Sequence, residues 1–528
     1  MAKYSLFFLL ILILLYQGCE KNEYTSGDIP TFISDFESRL KDLNTARNLE
    51  LWKRASTGES DSLEYYDDLL KKLLDNPDLL DKVVAYRKIV SGDVLKRKLD
   101  LMFHYILRSR IDSQPEINNL IDSLNDELAK FYGTLTSEVK KSDLTYFLCE
   151  YSEDNITTKN KKLFQEIGNG VARLIRLRNL ASKRLGYNSF YSINEFIEYG
   201  DAVESDRILD QLEEKSRAPY QSILDSSGDM SLNNIEGLCD LLRQQSDLKS
   251  EYGYYFDFSE KDKFNIIVNT YKSVGFDLNK LPIYFISPES TVITDIARCF
   301  PINCSNDIRI VTNRAGSSES FYSLFNVAGF AIYLSNIKQD SYLFQDDPAS
   351  LRAEIIQSIF DNLISTEKWR NEYLSLPDDF AFRWRQDAYK FKVIDLRSRL
   401  LMARFEKQLY LHNALEIRDI FRELFERIME RPTYNSVAWW AVLDEYINRP
   451  FHIQRKLIAG LAAAQILGST MEDESGFGSS LFKYTLVQDC FAPGHRYSWY
   501  DMLLQITGED INVDYYLMNP DSTMESDD

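Results

Sequence analysis

The sequence predicts a mainly α protein with one small β-sheet near its middle. Three observations carry this expectation. Glycine (21) and proline (13) are scarce over 528 residues, whereas chains of many short strands need those residues at their turns. Apolar residues recur at spacings of three and four along most of the chain, the period of a helix with one buried face. Strand signals are confined to two short runs, Leu281–Ile286 (LPIYFI) and Asp307–Thr312 (DIRIVT), rich in β-branched and aromatic residues and bounded by turn formers. With 44% hydrophobic residues the chain can bury a large core, as one domain or several.

The elements follow in order. Lys3 and then the unbroken apolar run Leu6–Leu15 (LFFLLILILL) read as a signal peptide over residues 1–18. The run is too short to span a bilayer as a helix, which takes about 20 residues. Gly18 directly before Cys19 resembles a bacterial lipoprotein cleavage site, although Tyr16 stands where a leucine is usual. On that reading Cys19 becomes an acylated N-terminus whose chains (palmitate among them) hold the protein at a lipid membrane. The alternative is an ordinary signal peptide with an incidental cysteine. Glu20-Lys-Asn-Glu23 resembles the short tag that sends some lipoproteins to the cell surface. The expected location is therefore the bacterial cell envelope, at the outer membrane.

Residues 19–30 are polar and read as a tether, and residues 31–517 as the helical body. Phe32, Phe36, Leu40 and Leu43 open the helical spacing; Leu63–Leu74, Leu79–Ile89, Val94–Ile111 and Ile117–Leu135 continue it. Asn76-Pro77 marks a helix start. After Ser318 the spacing is helical again. Residues 518–528 read as an acidic disordered tail.

Charge and cysteines narrow the function. A formal charge of -20 repels phosphate backbones and argues against nucleic acid as a partner. With Cys19 acylated, five cysteines remain, an odd number that leaves at least one thiol unpaired. Cys299 and Cys304 are close enough to cross-link in an oxidising compartment, or to remain two free thiols in a loop. No Gly-x-Ser-x-Gly elbow, phosphate-binding glycine loop or Rossmann fingerprint is present.

Four patches together carry a resemblance. Arg178-Asn-Leu-Ala-Ser-Lys-Arg-Leu-Gly-Tyr-Asn-Ser-Phe-Tyr191 is an arginine-rich helix ending in Leu-Gly-Tyr and an aromatic pair. Asp307-Ile-Arg-Ile310 is a short strand, Phe321–Ser335 an apolar helix with a central glycine, and Tyr500–Gly508 a closing helix with a Thr-Gly end. Their order and spacing resemble the zinc peptidyl-dipeptidases and oligoendopeptidases, the gluzincins that include angiotensin-converting enzyme. The resemblance covers roughly residues 31–517 in patches. It implies a helical shell of two halves around a deep cleft, and an edge strand at Asp307, Ile308, Arg309 and Ile310 beside the substrate channel.

That family holds zinc with His-Glu-x-x-His, two imidazoles one turn apart on one helix face, and a glutamate from the next helix. The intervening glutamate is the general base. Carried onto this sequence, the histidines fall on Asn326 and Phe330, the base on Val327 and the third ligand on Glu354, with Gly329 keeping the small residue of the motif. Three of the four functional residues are absent, and phenylalanine and valine offer no lone pair. The only histidines are His104, His412, His452 and His495, no two of them at metal-ligand spacing. The family also stabilises an oxyanion from a later helix; Tyr446 and His452 lie in the matching region, and neither takes a catalytic role. The expectation is a lipoprotein of this fold with no zinc cofactor, binding peptides or an envelope protein in its cleft, the peptide by strand addition along Asp307–Ile310. Two alternatives stand beside it: an active peptidase with a non-standard metal site, and an unrelated helical surface lipoprotein.

Overall fold

A computed structural model describes residues 24–133, 158–200, 204–226, 235–288, 296–312, 317–346, 351–412, 417–431, 439–471 and 477–518. The predicted signal peptide, Cys19 and residues 519–528 lie outside them.

The described part opens with amphipathic helices α1 (Ile29–Thr57), α2 (Leu63–Leu74), α3 (Pro77–Ile89), α4 (Asp93–Asp112) and α5 (Pro115–Tyr132). Their ends follow local chemistry. Gly58 stops α1 in the left-handed conformation, φ 88°. Pro77 starts α3 while the Asn76 side chain accepts from the Asp78 N–H. Next come α6 (Thr158–Arg184), α7 (Phe190–Tyr199), α8 (Ser205–Lys215), α9 (Arg217–Ser226), α10 (Ile235–Tyr254) and α11 (Glu260–Ser273).

A three-stranded sheet interrupts the helices: β1 (Ile283–Ile286), β2 (Arg298–Asn303) and β3 (Asp307–Val311), in spatial order β1-β3-β2. β2 and β3 form an antiparallel hairpin whose turn places Ser305 at φ 70°, and β1 lies parallel to β3 with Ile283 opposite Ile308. This corrects the expectation for Asp307, Ile308, Arg309 and Ile310. They form the central strand, with both hydrogen-bonding sides taken, so no peptide adds to the sheet there. β2 was missed in the sequence because Pro301 reads as a turn residue; it sits on an outer strand, where a missing N–H is tolerated. Its Pro301 carbonyl accepts from Asn48 of α1 at 2.9 Å.

After the sheet come α12 (Ser318–Ser335), α13 (Leu351–Ile364), α14 (Glu367–Tyr373), α15 (Asp378–Leu411), α16 (Ile417–Met429), α17 (Asp444–Asn448), α18 (His452–Thr470), α19 (Ser480–Thr485), α20 (Trp499–Thr507) and α21 (Asp514–Leu517). Among the described residues a large apolar core runs from Ile29 to Val513, and a second, small cluster of Phe300, Ile302 and Val311 packs against Leu49, Leu51, Trp52 and Ala55 of α1. Within the large core α13 lies between α12 and α18. The fold is mainly α with one small sheet, as expected. Among the described residues no helix is long and apolar enough to cross a membrane.

Candidate functional site

Helix α12 is two-faced although almost all its residues are apolar. Phe321, Leu324, Phe325, Ala328, Gly329, Ala331 and Ile332 are buried, while Tyr322, Ser323, Asn326, Val327 and Phe330 form a half-buried stripe at helical spacing. The three positions that the resemblance matches to the zinc motif therefore share one partly open face. Gly329 lies on the other face for a steric reason: a Cβ there would stand 2.6 Å from the Tyr271 hydroxyl and 2.8 Å from Phe360 Cδ2. Tyr271 of α11 also stacks on Phe325 and donates to its carbonyl at 2.8 Å. The glycine lets α11 and α13 press against α12.

Glu354 sits in the first turn of α13, where a carboxylate suits the positive end of the helix dipole. Its Oε1 lies 3.3 Å from Arg455 Nε and 3.5 Å from His452 Nδ1, both from the first turns of α18. Oε2 is buried without a hydrogen-bond partner. Arg455 also donates to the Pro450 carbonyl at 2.9 Å and stands 3.8 Å from Glu198 of α7, which Arg108 of α4 pairs at 2.9 Å. Glu354 thus belongs to a buried ionic chain that links α4, α7, α13 and α18.

Two more carboxylates flank the start of α18. Glu406 of α15 is fully buried and accepts the Phe451 N–H at 2.8 Å, where Phe451 adopts a left-handed φ of 60°. Burial pushes its carboxyl up to about 8, against the pull of that hydrogen bond and of Arg455 and Arg178. Glu195 of α7 accepts from Ser205 at 2.6 Å and Gln454 at 2.8 Å, and burial raises it to about 7. Tyr446 is structural: its hydroxyl donates to the Met402 carbonyl at 3.1 Å inside the core.

The zinc test fails on donor chemistry. Of the three α12 positions matched to the zinc motif, only Asn326 has a lone pair to offer, and its amide oxygen is buried without a partner. Phe330 and Val327 have none, and the Glu354 carboxylate already faces the fixed guanidinium charge of Arg455. Among the described residues no group of three or more His, Cys, Asp or Glu could hold a metal ion. Sequence reasoning missed Arg455, Glu198, Glu406 and Glu195. The available signal was His452-Ile-Gln-Arg455 opening an otherwise apolar helix, because buried charges need partners.

Cys299 and Cys304 are free thiols here, as is Cys490. Cys304 Sγ lies 3.8 Å from the Leu334 and Gln345 carbonyls, and burial pushes its thiol up to about 12. Cys239 is disulfide-bonded, a bridge that cysteine spacing did not suggest.

No protein-family model matches this chain, and no curated protein matches it. The chain shares its overall fold with solved structures of carboxypeptidases. In particular, the chain is similar to the M32 carboxypeptidase from Deinococcus radiodurans R1, with a TM-score of 0.59 and 11% identity over 92% of this chain and 97% of that one. It is also similar to the Pyrococcus furiosus carboxypeptidase, with a TM-score of 0.59 and 13% identity over 94% and 98% of the two chains. A third likeness is to BsuCP, with a TM-score of 0.53 and 15% identity over 94% and 99%. At such identities the likeness is one of fold.

Proposed function

We propose that this protein is a cell-envelope lipoprotein whose metallopeptidase-like fold serves binding rather than zinc hydrolysis. The observation that carries the reading is the state of Glu354. The carboxylate that the family resemblance assigns to the metal is paired with Arg455 and His452, while Asn326, Val327 and Phe330 stand at the positions the resemblance gives to the two imidazoles and the base. An arginine at that carboxylate supplies positive charge with no open coordination site, so it cannot lower the pKa of a bound water or polarise a peptide carbonyl as zinc does. The half-buried stripe of Tyr322, Ser323, Asn326, Val327 and Phe330 is suited to apolar and amide contacts with a peptide or with a segment of an envelope protein. Acylation at Cys19 would hold this body at the membrane. Fold alone does not assign an activity, so the reading rests on the site residues.

The test is a cleavage assay on protein lacking residues 1–19. The protein is incubated with a mixed peptide pool and added zinc, and products are followed by mass spectrometry. The expected result is no cleavage above a heat-treated control. Zinc-dependent cleavage that a chelator abolishes would establish the active-peptidase alternative.

A further inference from the structure

A cavity of about 410 Å³ lies on the other side of α12 from Asn326 and Phe330. Its walls come from the first turns of α11, the end of β1, Thr312 beyond β3, and Leu324 on the buried face of α12. Phe264 and Phe285 meet edge to face at 5.0 Å and, with Leu324, give it an apolar lining. Lys263 sits in the same wall although it is only 2% exposed. Its ammonium donates to Ser320 Oγ at 2.6 Å. Burial lowers the lysine pKa, with nearby Glu260 opposing that shift. A volume of this order lies in the range that takes small organic ligands.

We propose that this cavity binds a small monocarboxylate with an aromatic or aliphatic body, its carboxylate held at Lys263 and its body between Phe264, Phe285 and Leu324. The field of a buried ammonium attracts an anion in the cavity whichever acceptors its three N–H bonds serve. A nearby anion also repays the desolvation that depresses the lysine. Glu260 in the wall, against Lys261 and Lys263, leaves a net charge that matches a monoanion and disfavours a dianionic phosphate. The apolar side chains exclude water from the ion pair, which strengthens it. The site shares no residue with the α12 stripe or the Glu354 chain, so it stands or falls independently of the proposed function.

The experiment compares three probes of one shape by titration calorimetry at neutral pH: 4-phenylbutyrate, 4-phenylbutanol and 4-phenylbutylamine. The carboxylate should bind about tenfold or more tightly than the alcohol, the size of one charge–charge attraction in a partly buried site, and the amine should bind worst. Lys263→Met should remove the advantage of the carboxylate over the alcohol. Ser287→Trp, at an exposed position of the lining, should block both probes without unfolding the chain, and it decides the matter should Lys263→Met fail to fold. No binding of the carboxylate, equal binding of carboxylate and alcohol, or wild-type binding by either folded variant would overturn the proposal.

Discussion

Replacing Arg455 by methionine tests whether Glu354 is held by charge. Met keeps most of the buried side-chain volume and removes the guanidinium. Glu198 retains Arg108 at 2.9 Å, but Glu354 keeps only His452 at 3.5 Å, with Oε2 already unpartnered. Removing one member of a buried pair costs about 3–5 kcal/mol, because the other charge stays behind uncompensated. Glu354→Gln should cost less, about 1–2 kcal/mol, since Arg455 keeps the Pro450 carbonyl and Glu198. The double variant removes the stranded charge as well. It should therefore be more stable than the sum of the single losses implies, by about 2 kcal/mol. The assay is urea denaturation followed by far-UV circular dichroism, in buffer containing a chelator so that no metal contributes. Additivity within about 0.5 kcal/mol, or a neutral Glu354→Gln, would refute the pairing as the function of Glu354.

Three further outcomes are expected. Glu406 carries a folded pKa of about 8 against an ordinary 4.5, so the native state keeps a proton that the unfolded chain loses, and stability falls as pH rises through that window; at about 1.4 kcal/mol per pH unit the loss is at most about 5 kcal/mol. Glu406→Gln should flatten this slope in denaturation midpoints between pH 5 and pH 8, and an unchanged slope would show that Glu406 does not cause it. Gly329→Ala should destabilise by about 1–3 kcal/mol despite alanine's better helix propensity, because its Cβ meets Tyr271 and Phe360, and a thermal melt at or above wild type would contradict that packing. Cys19→Ser should release the protein from the membrane fraction, and its retention after high-salt extraction would exclude acylation at Cys19 as the anchor.

Much of the fold was legible because helical spacing is a local property. Leu63–Leu74 emerges with the bounds its apolar spacing predicts, and the capping residues Asn76, Pro77 and Gly508 mark real helix ends. The sheet was only half legible. β1 and β3 show as short apolar runs, but β2 (Arg298-Cys-Phe-Pro-Ile-Asn303) contains proline and breaks register between Pro301 and Asn303, which hides a strand from pattern reading. Without β2, β3 looks like an edge. The apolar face of α12 was legible, but its half-buried stripe was not, because Phe330 and Val327 read as core in any hydropathy count. The pairing of Glu354 with Arg455 spans 101 positions and joins two helices through one guanidinium. No local pattern encodes such a contact. Its trace is only an arginine and a histidine at the head of an apolar helix.

Zinc stoichiometry tests the central claim most directly. Protein lacking residues 1–19 is dialysed against trace zinc, washed, and analysed for metal per chain. The account predicts far less than one zinc per chain, since Asn326, Val327 and Phe330 cannot replace two imidazoles and a base, and Arg455 holds the remaining carboxylate. One tightly held zinc per chain, lost on Glu354→Gln, would contradict it and return Glu354 to the role of metal ligand.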